Sequence, residues 1–175
     1  LIINNKVDDL PVDYVAVDNH AGGRSAADYL VSLGHKRIAV VTGNLQTQAG
    51  LHRFEGFKEH LSAKKVALPG DYFYEGDYSR RSARMAAEQF FDLKERPTAI
   101  FACSDEMALE TIAVCNERGI KVPEDVSIIG FDDSPACLYS AIGLTTIRQP
   151  LFEMAEQAVH LLSDIINGKN KAKNK

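Results

Sequence analysis

Asp132 and Asp133 stand in tandem behind the apolar run 126–130 and Phe131, and Ser104 and Asp105 behind the apolar run 98–102 and Cys103. Asp18, Asn19 and His20 follow residues 14–17. Thr42, Gly43 and Asn44, then Gln46, Thr47 and Gln48, follow residues 37–41, and Arg148 and Gln149 follow 144–147. Carboxylates accept hydrogen bonds, amides and hydroxyls both give and accept, and a guanidinium donates in a fork. Such a mixed set suits a neutral polyhydroxylated ligand, with aromatic rings covering its C–H faces. The same residues also serve as helix caps and loop polars. For Asp105 a cap on the following helix is the better reading, whereas Asp132 with Asp133 points to function.

Other chemistries fit less well. There is no GxGxxG behind a strand and no GxxxxGK[ST], so nucleotide binding is not expected. Gly22-Gly23 beside Arg24 is a weak candidate for an anion at a helix start. No GxSxG elbow exists, and Ser104 is followed by Asp-Glu, which opposes a developing oxyanion. Asp105, Asp132 and Asp133 could supply the two carboxylates of a glycosidase, but nothing in their spacing separates an acid from a base. His20, His35, His52, His60 and His160 form no HxxxH or HExxH pair, and Cys103, Cys115 and Cys137 are an odd number without CxxC spacing. No metal, no cofactor and no enzymatic activity are expected. Cys103 and Cys115 read as small core residues, and a reducing, cytoplasmic setting fits them.

The elements that must position these groups follow from the apolar pattern. The chain has 175 residues, 45% of them hydrophobic, which is a globular composition for one large or two small domains. No apolar run reaches the roughly 18 residues of a membrane span. Net charge is −4, and four lysines fall in residues 169–175, so the rest of the chain carries −8 and repels phosphate. The lysine tail reads as a solvated end. Strands are expected over residues 1–5, 14–18, 37–43, 72–74, 98–104, 126–132 and 144–149. Several are apolar throughout, as parallel strands covered on both faces must be. Helices are expected over 22–33, 49–63, from a Ser79 cap to about 91, over 106–118 from an Asp105 cap, and over 151–167. The last shows Ala155, Ala158, Val159, Leu162 and Ile166 at helical spacing. Repeated strand–helix units predict an α/β fold with a mostly parallel sheet. Its ligands bind beyond the carboxyl ends of the strands, where the polar residues above lie. Both ends of the chain look cut from something longer.

Several motifs now carry a resemblance. They are Val17-Asp18-Asn19 before Gly22-Gly23, residues 33–39 (LGHKRIA), residues 53–57 (RFEGF) and residues 101–108 (FACSDEMA). Gly119 leading into residues 122–133 (VPEDVSIIGFDD), and residues 144–150 (LTTIRQP), complete the set. In order and spacing the chain resembles the LacI/GalR family of transcriptional regulators. The resemblance implies a periplasmic-binding-protein-like α/β fold, with Rossmann-like parallel-sheet lobes flanked by helices and a small-molecule effector between them. Residues 1–18 with 149–168 would form part of the N-terminal lobe, 19–148 a nearly complete C-terminal lobe, and 169–175 the tail. A sugar or sugar phosphate is the implied effector, with a purine or other metabolite open. It would allosterically control operator DNA binding in a homodimer, with no membrane involved. The helix-turn-helix headpiece, the hinge helix and the first strands are absent, so this chain would contact no operator itself and would bind effector weakly. A periplasmic sugar-binding protein of the same fold is the alternative; Gly130-Phe131-Asp132-Asp133 with Leu144-Thr145-Thr146 favours the regulator. Residue by residue, the resemblance implies ligand contacts by Arg53, Asp132 and Tyr78, the last stacking on the ligand unless it packs in the core. Ser104 stands where Asn is frequent. Gln149, Asn5 and Thr47 match further cleft positions.

Overall fold

The structure is a computed structural model that describes residues 1–4, 12–139 and 143–169. In chain order the elements are β1 (Ile2–Ile3), β2 (Tyr14–Val15), α1 (Asn19–Ser32), β3 (Ile38–Thr42), α2 (Gln48–Ala63), β4 (Phe73–Glu75), α3 (Arg80–Asp92), β5 (Ala99–Ala102), α4 (Asp105–Glu117), β6 (Ser127–Asp132), β7 (Thr145–Arg148) and α5 (Leu151–Ile166). They divide into two compact units: the described parts of Leu1–Asp18 and Gln149–Lys175, and Asn19–Arg148.

The larger unit is a five-stranded parallel sheet in the order β4-β3-β5-β6-β7. Val40 pairs with Phe101, Ile100 with Ile128, and Phe131 with Ile147. Every residue of β3 and β5 is buried, so both faces of the sheet centre are covered. Helix α1 packs on α2, and α3 on α4. Strand order runs outward from β3 to β4, then returns past β3 to β5. The reversal falls between β3 and β5, and open α/β sheets place ligands beyond the carboxyl ends of the strands at such a point.

Two glycines set the α1–α2 crossing. A Cβ on Gly23 would lie 2.0 Å from the Arg53 carbonyl oxygen, and one on Gly56 would lie 2.0 Å from that of His20. Each helix therefore presses its backbone against the other's glycine. Gly22 faces the Phe131 ring in the same way, at 2.6 Å. The expected helix start at residue 22 moves back to Asn19, because both glycines belong inside α1 as contact points. An anion at Gly22-Gly23 has no room there.

Helix caps follow the extended backbone that precedes each helix. Thr47 Oγ1 accepts from Gly50 N and Ser79 Oγ from Ser82 N. At α4 the cap is Ser104, whose Oγ accepts from Met107 N, and not Asp105. Asp105 is already helical and its carboxylate is buried elsewhere. At β4 the strand shifts by one residue: Tyr72 belongs to a 3-10 turn and donates its hydroxyl to the Glu95 carbonyl at 2.8 Å.

Asp77 supports the start of α3 from solvent. Its Oδ1 accepts from the Ser79 amide at 3.0 Å and from the Ser79 hydroxyl at 2.6 Å. These bonds, with Ser82, hold its carboxyl down to about 2 from the usual 3.8. A depressed carboxyl stabilises the fold above its unfolded pKa and loses that contribution as pH falls through the folded one. Between pH 4 and 2 the native chain should therefore lose stability more steeply than Asp77→Ala, as read by denaturant melts across that window. Parallel curves would mean the bonds to Ser79 have no energetic weight.

The smaller unit pairs β1 with β2 in parallel, Ile2 opposite Tyr14 and Ile3 opposite Val15. The strands expected over 1–5 and 14–18 are thus cut to two residues each. Met154 and Ala158 of α5 pack with Val15. Of the stripe that the periodicity marks, only Ala158 is buried; Ala155, Val159, Leu162 and Ile166 are exposed, since the described residues of this unit offer α5 little surface.

Candidate functional site

Arg53 lies at the centre of the polar rim. It stands on α2, and its side chain is 5% exposed. A buried guanidinium is costly unless its N–H groups are matched. Here Nε donates to Asn19 Oδ1 at 2.8 Å and Nη1 donates to the Cys103 carbonyl oxygen at 2.7 Å. The Phe131 ring lies under the guanidinium, with its centroid 3.7 Å from Cζ, and the Tyr78 ring lies further off at 6.0 Å. Asp132 Oδ1 is 3.6 Å from Nη1, close enough to attract and too far for a hydrogen bond. Four segments converge on one cation: the start of α1, the ends of β5 and β6, and the loop before α3.

The backbone around this cation is strained. Tyr78, Asp132 and Asp133 have φ values of 69°, 128° and 58°. Non-glycine residues adopt such angles at a cost of order 1–3 kcal/mol each, and they collect where function demands a particular side-chain direction. Asp105 holds the last two in place. Its carboxylate, 1% exposed, accepts from Ser134 N at 2.7 Å and from Thr146 Oγ1 at 2.5 Å, and the Thr146 hydroxyl in turn accepts from Asp133 N at 3.3 Å. That ties α4 and β7 to the turn after β6.

The other expected contacts fall in different places. Tyr78 lies with its ring over Gly43, where a Cβ would come within 1.9 Å of Cζ, and it packs against the main core. Burial pushes the pKa of its phenol up, while Arg53 and the Thr47 hydroxyl act the other way. The ring is therefore part of the packing as well as part of the rim. Ser104 is buried and uses its hydroxyl as a cap. Thr47 caps α2 and also donates to the Asn44 carbonyl. Gln149 is buried and belongs to the smaller unit. Asn5 lies outside the described residues. Arg53, Asp132 and Tyr78 thus come together, with Ser104 and Thr47 bordering them as caps. The resemblance passed over Asn19, Phe131 and the Cys103 carbonyl as contacts. The signals that were available are an amide opening a helix and an aromatic directly before the carboxylate; a backbone carbonyl leaves none.

Cys103 itself is fully buried, and burial pushes its thiol up to about 12, so it is no nucleophile. Among the described residues no group of three His, Cys, Asp or Glu side chains gathers to hold a metal, and no helix is long and apolar enough to cross a membrane.

Residues 27–175 match the family described as the periplasmic binding protein-like domain. The chain belongs to that family. Within it, the chain is 34% identical over 161 residues to the HTH-type transcriptional repressor PurR of Vibrio atlanticus, covering 92% of this chain and 48% of that protein. It is 37% identical over 166 residues to the HTH-type transcriptional regulator DegA of Bacillus subtilis, covering 95% and 49%. It spans about half the length of these relatives. A LacI-family regulatory protein from Chloroflexus aggregans superposes with a TM-score of 0.89 at 31% identity, over 97% of this chain and 62% of that one. The transcriptional regulator CelR in complex with cellobiose superposes at 0.88 and 33%, over 96% and 51%. The periplasmic binding protein-like fold and the LacI-type resemblance read from the motifs both hold, and these relatives are regulators rather than enzymes.

Proposed function

We propose that this chain is most of the effector-binding core of a LacI-type transcriptional regulator and that it holds a small, neutral, hydroxyl-bearing metabolite without transforming it. Residues 19–148 serve as the C-terminal lobe, and 1–18 with 149–168 as part of the N-terminal lobe. Effector binding biases the arrangement of a homodimer and so the operator affinity of the full regulator, in the cytoplasm. A coupling of about 1–3 kcal/mol is typical of such linkage.

The observation that carries this reading is the facing pair of Arg53 and Asp132 at the reversal of strand order. One group only donates and the other only accepts. A ligand hydroxyl satisfies both, accepting from the guanidinium and donating to the carboxylate. The pair sums to zero charge, so a sugar fits it better than a sugar phosphate does. A complex with cellobiose in a structural relative supports this ligand class.

The test is a thermal-shift screen of sugars, sugar phosphates and nucleobases on the full-length regulator, followed by calorimetry. Asp132→Ala should weaken binding of the ligand found by about 1.5–3 kcal/mol, the worth of a hydrogen bond to a charged group. Unchanged affinity removes Asp132 from the site. Steady turnover of aryl glycosides, abolished by the same substitution, would overturn binding without chemistry.

A further inference from the structure

We propose that Asn19 is a positioning residue: with the Cys103 carbonyl and the Phe131 ring, it holds the Arg53–Asp132 ion pair open. Left to themselves, a guanidinium and a carboxylate close to about 2.7–2.9 Å, often through two parallel hydrogen bonds. Here the nearest approach is 3.6 Å, although Arg53 is buried and Asp132 is 30% exposed beside it. The reason lies in what already holds Arg53. Asn19 Oδ1 takes the Nε proton at 2.8 Å, the Cys103 carbonyl takes one from Nη1 at 2.7 Å, and Phe131 fixes the plane at 3.7 Å. With Nε and Nη1 engaged on α1 and β5, the guanidinium cannot turn to meet Asp132 edge-on. Among the described residues Nη2 makes no hydrogen bond, so this end of the fork stays available to a ligand oxygen.

The consequence deepens the ligand reading above and rests on it for its meaning. A closed pair would satisfy itself and leave a hydroxyl nothing to gain. An open pair keeps the guanidinium and the carboxylate apart, and it leaves Nη2 of Arg53 for a ligand oxygen beside Asp132. Asn19 engages the guanidinium itself, so its replacement should release Arg53. Asn19→Asp keeps an acceptor of the same reach and should preserve the arrangement.

Nitrogen-detected NMR of the arginine side chains in the full chain tests this without a ligand, with the Arg53 signals assigned by their loss in Arg53→Lys. In the native protein Arg53 should show separate Nη1 and Nη2 resonances and an Nε proton that exchanges slowly. Asn19→Ala should merge the two Nη resonances and expose the Nε proton, and Asn19→Asp should restore both signatures. Should Asn19→Ala not fold, Asn19→Ser carries the same prediction, because its side chain is one bond shorter yet suits a helix start. Separate resonances in the Ala or Ser variant, or averaged ones in the native protein, overturn the proposal. A calorimetric arm uses D-glucose, D-ribose and cellobiose. Affinity for any that binds should fall roughly tenfold in Asn19→Ala, the worth of about one hydrogen bond, and recover in Asn19→Asp. If none binds the native protein, the ligand reading suffers while the spectra still decide the role of Asn19.

Discussion

Gly23→Ala is expected to destabilise the larger unit by roughly 3 kcal/mol, the upper end of the range for overpacking. The added methyl would stand 2.0 Å from the Arg53 carbonyl oxygen, 2.9 Å from its carbon and 3.0 Å from the Phe57 nitrogen. All three are backbone atoms, and no side-chain rotation relieves them. The helices must separate, and the reciprocal contact of Gly56 on the His20 carbonyl is lost with the first. The ion pairs across the same helices, His20 with Glu59 and Asp28 with His60 and Lys64, involve exposed acids and contribute little against this. For a domain of this size the loss corresponds to about 10 °C in Tm by thermal denaturation. Gly70→Ala is the control, since its added methyl meets nothing within 4 Å and its φ is not positive; it should melt within about 2 °C of the native chain, as surface substitutions do. Equal melting of the two variants would show that the crossing relaxes freely. Because the displaced helix carries Arg53, Gly23→Ala should also weaken ligand binding without touching the ligand.

The same crossing shows what the sequence could and could not convey. The strand runs around 98–104 and 126–132 were legible because burial on both faces demands unbroken apolar residues, and β5 and β6 lie inside them. The polar residues at their ends were legible for the same reason: where the run stops, the rim begins. Gly22-Gly23 was harder, because a glycine pair near a helix start signals backbone approach without saying what approaches. Only the fold supplies Phe131 on one side and α2 on the other. Asp105 was misread because its neighbour competes for the same task. Either residue can cap a helix, and the choice depends on Thr146 and Ser134, 41 and 29 residues away, which engage the Asp105 carboxylate and leave Ser104 to the cap. Tyr78 illustrates a third limit. An aromatic beside a site serves packing or ligand equally well by pattern, and only its position over Gly43 shows that it does the first. Asn19 was visible as a rim amide, yet its bond to Arg53 joins residues 34 apart and has no local signature.

Arg53→Met should be the most damaging single change at the site. Methionine matches the length and apolar stem of arginine, so little volume is lost, and the effect isolates the guanidinium. Two buried acceptors, Asn19 Oδ1 and the Cys103 carbonyl, lose their donor, at a cost of about 1–3 kcal/mol each where nothing replaces it. The Phe131 face loses the cation stacked on it. Asp132 loses its counter-charge, though at 30% side-chain exposure water offsets much of that. A stability loss of roughly 3 kcal/mol in denaturant melts is expected, together with at least a hundredfold loss of ligand affinity by calorimetry, about 2.7 kcal/mol. Arg53→Lys should fare little better, because an ammonium cannot meet two acceptors in one plane while lying flat on a ring. The decisive measurement is the double-mutant cycle with Asp132→Ala. If one ligand hydroxyl bridges the two groups, losing either removes most of what the other contributes, and the double variant should bind about as weakly as Arg53→Met alone. Binding losses that add within about 0.5 kcal/mol would mean that Arg53 and Asp132 act on separate parts of the ligand, or that one of them does not touch it. The open pair would then be a feature of the fold, and the recognition of a neutral hydroxyl would have to be sought elsewhere on the rim.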